Sequence, residues 1–285
     1  SAMVDPEDLP FVAGLDAAGV VSAVGPDVDA VEPGDRVVLC PNETCGTCEY
    51  CREGPENTCE SFSLYHGGLA EAALVDADRL VALPDDVSFV EAAALPTAYV
   101  TARRMLHRAD VGPGDRLFVP GATGGVGVAT VQLAAVRGIE TVGTSRSAAK
   151  LDRVRDLGLD RGVEAADPDA IREAVDGRFD TVVNHLGGEY TELGQALLAR
   201  AGTMVVCGRT AGGRSSVKVA DLFLRHKRIV GSTMGTQRDL ERLVDLVATG
   251  ALAPAVDETY PLAETGAAFA AMRDRESVGK LVVTP

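Results

Sequence analysis

Arg116-Leu117-Phe118-Val119-Pro120-Gly121-Ala122-Thr123-Gly124-Gly125-Val126-Gly127 joins a short apolar run, through a glycine-rich turn, to a helical stretch reaching from Val126 to Arg137. A buried strand feeding a helix through glycines is the repeating unit of a parallel α/β sheet. The glycines permit a tight turn and let the backbone at the helix N-terminus approach an anion such as a pyrophosphate. Alone, such a turn also occurs with no ligand. Here the unit repeats. Thr141–Gly143 reads as a second strand, and Ala148–Leu157 as a helix that Gly158 stops. Asp180–Val183, Gly202–Val206 and Arg228–Gly231 are further strands, each preceded by a helical stretch. The pattern predicts a doubly wound parallel sheet.

The end of the second strand bears on the choice between the two nicotinamide dinucleotides. An acid there would hold a ribose 2'-hydroxyl and repel a 2'-phosphate. The segment is instead Gly143-Thr144-Ser145-Arg146-Ser147, with Lys150 four residues past Arg146. Hydroxyls and cations suit a phosphate, since an arginine offers it a charge-assisted fork. NADPH is therefore expected over NADH, although Arg146 and Lys150 are also ordinary charges for a helix surface.

Cys45, Cys48, Cys51 and Cys59 form a C-x2-C-x2-C-x7-C array with turn residues Gly46, Gly54 and Pro55 among them. Four thiolates on such a loop can close a tetrahedron around one Zn2+. With every position a cysteine, none is left open for water or substrate, so the expected zinc is structural. Two disulfides or an iron–sulfur cluster are the alternatives; the spacing does not match the common ferredoxin runs. Cys40 and Cys207 stand in apolar runs and read as small core residues.

Residues 1–97 have short β-like runs, Gly19–Val24 and Asp35–Leu39, separated by the turn Glu32-Pro33-Gly34-Asp35. Residues 98–235 carry the alternating strands and helices. Residues 236–285 hold one more helix, Asp239–Thr249, and a last strand, Lys280–Val283, expected to return to the first domain. Ser1-Ala2-Met3 reads as an expression scar ahead of a start methionine.

The formal net charge is −15, from 42 acidic against 27 basic residues, and only four of the latter are lysine. No basic patch is available for nucleic acid or an anionic membrane. No apolar run is long enough to span a bilayer and no signal peptide is apparent, so a cytoplasmic protein is expected. Dispersed acidity with scarce lysine resembles adaptation to high salt, where screening relieves self-repulsion. An acidic protein from a GC-rich genome would have the same composition.

Together these features resemble the medium-chain dehydrogenases/reductases, the superfamily of zinc-containing alcohol dehydrogenases and quinone oxidoreductases. Pro10–Val21 is similar to that family's "P-x-x-x-G-H/S-E/D-x-x-G-x-V" segment, Gly67–Glu71 to its "G-G-x-A-E", Ala92–Ala102 to its reductase-type domain junction, and Gly279–Val282 to its end. The resemblance implies an α/β fold: a GroES-like β domain with the zinc lobe, and a Rossmann domain. Hydride transfer would occur in the cleft between them. By the same resemblance Gly121, Gly124, Gly125 and Val126 follow the pyrophosphate, while Ser145, Arg146 and Lys150 meet the adenosine phosphate. Thr101, Gly208 and Arg209 lie beside the nicotinamide. The strand around Ile229–Ser232 would join two Rossmann sheets in a homodimer.

Two departures qualify the resemblance. In the alcohol dehydrogenases two cysteines and a histidine hold a catalytic zinc; here Leu15 and Thr97 stand at two of those positions, and neither suits Zn2+. The chain thus resembles the zinc-independent branch, in which an NADPH hydride goes to a quinone or an α,β-unsaturated carbonyl. The family's roughly 40 to 50 residues before Pro10 are also nearly absent, so the β domain is expected to be N-terminally truncated, with exposed apolar surface and strand edges. A zinc alcohol dehydrogenase with unexpected ligands, and a cofactor-binding protein without catalysis, are the alternatives. No catalytic residue is assigned: Tyr65, His66, Asp16 and His185 each have ordinary structural explanations.

Overall fold

The structure, a computed structural model, describes residues 10–165 and 167–285; Ser1-Ala2-Met3 lies outside them. The first part contains β1 (Ala18–Val20), β2 (Arg36–Leu39), β3 (Asn42–Glu43), α1 (Glu49–Glu53), β4 (Ser63–Leu64) and β5 (Leu80–Ala82). β1, β2 and β5 form an antiparallel sheet in that order. β3 and β4 pair across the base of the cysteine loop. The strand expected over Gly19–Val24 leaves the sheet at Val20. Val21 instead exchanges hydrogen bonds with Asp35 and Gly34, closing the loop that contains Gly25-Pro26.

A capping box between Ser88 and Glu91 starts α2 (Phe89–Ala93). One π-helical turn, Leu95–Tyr99, then runs into α3 (Val100–Arg108). The parallel sheet comprises β6 (Arg116–Val119), β7 (Glu140–Ser145), β8 (Arg161–Glu164), β9 (Phe179–Asn184), β10 (Leu198–Val206) and β11 (Arg228–Gly231). Its order is β11-β10-β9-β6-β7-β8. Both faces are covered, so the central strands bury short apolar runs: Leu117, Phe118 and Val119 in β6, Val182 and Val183 in β9. The connecting helices are α4 (Gly125–Ala135), α5 (Ala148–Arg155), α6 (Pro168–Ala174), α7 (Glu189–Leu197) and α8 (Val219–Leu224).

The helix of the tail, α9 (Gln237–Ala248), packs Leu240, Leu243, Val244 and Val247 into the core that holds α3 and α4. The remainder is a parallel pair, β12 (Val256–Pro261) and β13 (Lys280–Thr284), joined through α10 (Thr265–Arg273). β8 and β12 were not legible in the sequence. Arg161-Gly162-Val163-Glu164 has one apolar side chain, and Val256–Pro261 is mostly polar. Among the described residues no helix is long and apolar enough to cross a membrane.

Candidate active site

The connections reverse between β6 and β9, and a doubly wound sheet opens a crevice at the carboxyl ends of such a pair. The glycine turn lies there. Gly121 has φ +70°, a backbone state favouring glycine. Gly124 precedes α4 with no side chain capping the helix, so its first N–H groups stay available to an anion. A Cβ on Gly127 would come within 2.4 Å of the Gly121 carbonyl oxygen, so only glycine lets α4 pack this close to the turn. From the end of β9, His185 brings Nε2 to 3.3 Å from the place a Cβ on Gly121 would occupy. Its Nδ1 is buried without a partner, and burial pulls the imidazole down to about 4.

At the end of β7, the Ser145 hydroxyl is 3.4 Å from that of Thr123 and accepts from Ser147 N–H. Arg146 is exposed, with no ion pair among the described residues. Lys150 is differently engaged: its ammonium donates to the carbonyls of Arg275 and, at 3.2 Å, Ser277. Glu164, opposite Ser145 on β8, is an acid that the sequence did not place here. Its carboxylate accepts from Ala148 N–H at 3.3 Å.

On the other side of the crevice, Thr101 is buried and its hydroxyl contacts the Met234 sulfur at 3.7 Å. Gly208 passes so close to His185 that a Cβ would meet its carbonyl oxygen at 2.0 Å. Arg209 is exposed beyond it. Leu15 and Thr97, at the two positions where a catalytic zinc would be held, flank a different arrangement. The Thr97 hydroxyl donates to Asp16 Oδ1, and Lys280 Nζ reaches Asp16 Oδ2 at 2.6 Å. The Lys280 stem passes 3.5 Å from the Cβ position of Gly125, and Gly279 N–H donates to the Thr123 carbonyl at 3.1 Å. The last strand therefore lies across the glycine turn. An apolar cleft of about 1580 Å³ extends from these residues between β1 and β13 toward α10. Val12, Val20, Leu74, Phe269 and Met272 stand exposed on that side of the protein. His66 lines this cleft and meets Phe11 edge-on at 5.2 Å.

The four cysteine sulfurs all lie within 4.8 Å of one another. The pairs Cys48–Cys51, Cys59–Cys45 and Cys45–Cys51 are 3.5, 3.6 and 3.9 Å apart. A ZnS4 tetrahedron with bonds of about 2.3 Å has edges of about 3.8 Å, so the sulfurs fit one zinc. Backbone N–H donation from Thr47 and Cys48 pulls Cys45 down to about 6, favouring its thiolate, whereas desolvation and its cysteine neighbours push Cys51 up to about 11. The lobe is anchored to the segment before and at the start of α9. Asn42 donates to the Gly235 carbonyl at 2.7 Å, Asn57 donates to that of Thr233 at 2.6 Å, and Glu56 accepts from Gln237 N–H at 2.6 Å.

Comparison with known proteins agrees with this geometry. Residues 2–85 match the family model for the alcohol dehydrogenase GroES-like domain, and residues 125–249 that for zinc-binding dehydrogenase. An alcohol dehydrogenase of Geobacillus stearothermophilus is 32% identical over 284 residues, covering 96% of this chain and 83% of the relative. The acryloyl-coenzyme A reductase of Metallosphaera sedula is 30% identical, with coverages of 96% and 83%. Among solved structures, the 2-octenoyl-CoA carboxylase reductase CinF, in complex with NADP and 2-octenoyl-CoA, superposes with a TM-score of 0.90 at 28% identity. That match covers 97% of this chain and 68% of the other. The chain belongs to the medium-chain dehydrogenase/reductase superfamily and is an NAD(P)-dependent oxidoreductase.

Proposed function

We propose that the chain is an NADPH-dependent reductase of α,β-unsaturated carbonyl compounds or quinones, working without a catalytic zinc. The observation that carries this is the Thr97–Asp16–Lys280 cluster. Leu15 offers no donor atom, Thr97 is a poor neutral ligand, and both Asp16 oxygens are engaged. That donor set does not fit a second zinc, which weighs against the zinc alcohol dehydrogenase alternative.

NADPH, when bound, would supply the hydride. Gly121, Gly124, Gly125 and Val126 would hold its pyrophosphate, and Thr101, Gly208 and Arg209 would line the nicotinamide end. Ser145 and Arg146 would take the 2'-phosphate. Lys150, fixed on two carbonyls, would act there through its field and through the Arg275–Ser277 segment that it holds. The cleft's largely apolar lining suits a conjugated acceptor, whose double bonds spread the developing negative charge; a simple alcohol lacks that help and needs a metal or a base. The relatives named for acryloyl-CoA and 2-octenoyl-CoA support an activated double bond as the target.

A homodimer through the β11 edge belongs to the same proposal, supported by exposed Val219, Phe223 and Leu224 on the neighbouring α8. The test is NADPH oxidation against enones, enoyl thioesters and quinones, alongside NADP+ reduction by alcohols, with zinc counted on the same sample. Turnover of conjugated acceptors with one zinc per chain is expected. Alcohol oxidation with two zincs would overturn the proposal, and cofactor binding without any turnover would favour a non-catalytic protein.

A further inference from the structure

β4 ends at Leu64, and the chain then passes through Tyr65 and His66 into a glycine pair that fastens it to the segment before β1. Gly67, with φ +127°, and Gly68 both donate to the Gly14 carbonyl at 3.0 Å. A Cβ on Gly68 would come within 2.7 Å of the Asp16 carbonyl oxygen, so only glycine lets the two stretches meet this closely. His66 is thereby held near the Leu15–Asp16 step, and it lines the same apolar cleft as Thr97, Asp16 and Lys280. Of the ionisable side chains lining that cleft, Asp16 and Lys280 are bonded to each other, and Glu71 and Asp76 are exposed carboxyls farther along the segment. Tyr65 folds back over its own backbone, its hydroxyl 2.6 Å from the place a Cβ on Gly67 would occupy. The His66 ring is half-buried, packs edge-on against Phe11 at 5.2 Å and makes no hydrogen bond among the described residues. Its nitrogens are free to serve something in the cleft.

Reducing a conjugated double bond takes two hydrogens. NADPH gives a hydride to the β carbon, the electron pair of the double bond moves toward the α carbon and the carbonyl oxygen, and a proton must then be set on the α carbon. NADP+ and the saturated carbonyl compound result. Water protonates carbon slowly, so a positioned acid gains most at this step. We propose that His66 is that acid, its imidazolium giving a proton to the α carbon and the neutral ring then taking another from solvent on its exposed side. This rests on the reduction of activated double bonds proposed above. An imidazole suits the task because it exchanges protons near neutral pH, and the edge-on contact with Phe11 holds the ring toward the cleft. A quinone makes no such demand: its reduction leaves phenolic oxygens, which exchange protons with water unaided.

The test compares two acceptors, 2-methylcyclohex-2-enone and 9,10-phenanthrenequinone, on the zinc-loaded full chain with NADPH. Chiral chromatography reads the configuration at the α carbon of the enone product, and calorimetry reads NADPH affinity. His66→Ala and His66→Gln should each lower enone turnover about 100-fold or more, lower quinone turnover far less, and keep NADPH affinity within a few-fold. The residual enone product should change from one enantiomer to a mixture, because the proton then comes from water on either face. Equal losses on the two acceptors, or enone turnover retained with its configuration unchanged, would overturn the inference while sparing the reading above. A parent that reduces the quinone alone would do the same. A parent that reduces neither acceptor would remove that reading and the inference with it. If His66→Ala loses its zinc or its NADPH affinity, His66→Gln decides through the enone-to-quinone ratio and the configuration of the product.

Discussion

Lys280 Nζ lies 2.6 Å from Asp16 Oδ2, an ion pair spanning 264 positions of the chain and tying the last strand to the segment just before β1. The two side chains are 21% and 16% exposed, so solvent screens the pair only in part. It is one of several places where the chain's few lysines are set into the fold. Lys227 is buried, donating to Asp221 at 2.8 Å and to the Gln195 carbonyl at 2.7 Å, and Lys150 donates to two carbonyls. Of the four lysines, these three have ammonium groups in tertiary contacts, so the low count reflects scarcity on the surface.

Removing one member of the Asp16–Lys280 pair leaves the other charge half-buried beside Thr97. Asp16→Asn and Lys280→Met should each cost roughly 1–3 kcal/mol in denaturant unfolding. They should also lower kcat/KM about tenfold or more, because the pair holds the last strand over the glycine turn. The double variant should recover part of the stability loss. Strictly additive effects would mean that the two groups do not interact.

Arg146 and Lys150 lie four residues apart but should differ in consequence. Arg146 is exposed at the end of β7, so Arg146→Glu should shift the ratio of NADPH to NADH efficiency toward NADH by about 1–3 kcal/mol, tenfold or more. Lys150→Ala should change that ratio less and lower thermal stability instead, since its ammonium anchors Arg275 and Ser277. Glu164→Gln, which removes the acid facing the same corner, should favour NADPH. Steady-state kinetics with both cofactors measures all three.

The parallel sheet was legible because its central strands are buried on both faces and carry short apolar runs, and because the glycines of the turn answer to steric demands visible residue by residue. The gathering of Cys45, Cys48, Cys51 and Cys59 was legible from spacing alone. Lys150 was not, because a lysine on a helix can reach a phosphate or a carbonyl, and only the tertiary fold decides. Glu164 was missed with β8, whose one buried apolar residue, Val163, gives no periodic signal.

Stripping zinc should release more than the loop. The four cysteines hold a segment with little apolar core of its own, and three of its hydrogen bonds fix the approach to α9. Chelation, or Cys48→Ser, should lower the melting temperature by several degrees or more and open residues 42–60 to proteolysis. The native sample should contain one zinc per chain. Unchanged melting on zinc removal would count against a structural metal.

The dispersed acidity has its own consequence. With a formal net charge of −15, self-repulsion grows as the screening length rises from about 8 Å at physiological salt to about 30 Å at 0.01 M. Dialysis into low salt should lower the unfolding midpoint, and potassium chloride should restore it. A midpoint independent of salt would point to an acidic composition without adaptation to it.

His185 should make stability depend on pH in a definite direction. Burial lowers its pKa from 6.5 to about 4. Above 6.5 the ring is neutral in both folded and unfolded chains and adds no dependence. Between 6.5 and 4 the unfolded chain takes up a proton that the folded chain refuses, so stability falls as the pH falls. Below about 4 both states are protonated and the penalty stays at its full size, at most roughly 3–4 kcal/mol. His185→Gln removes the titration while keeping a polar side chain. The stability difference between variant and parent should therefore move in the variant's favour on going from pH 7 to pH 5, measured by urea unfolding at each pH. A difference that stays constant would show that the ring is reached by solvent and protonates freely in the folded protein.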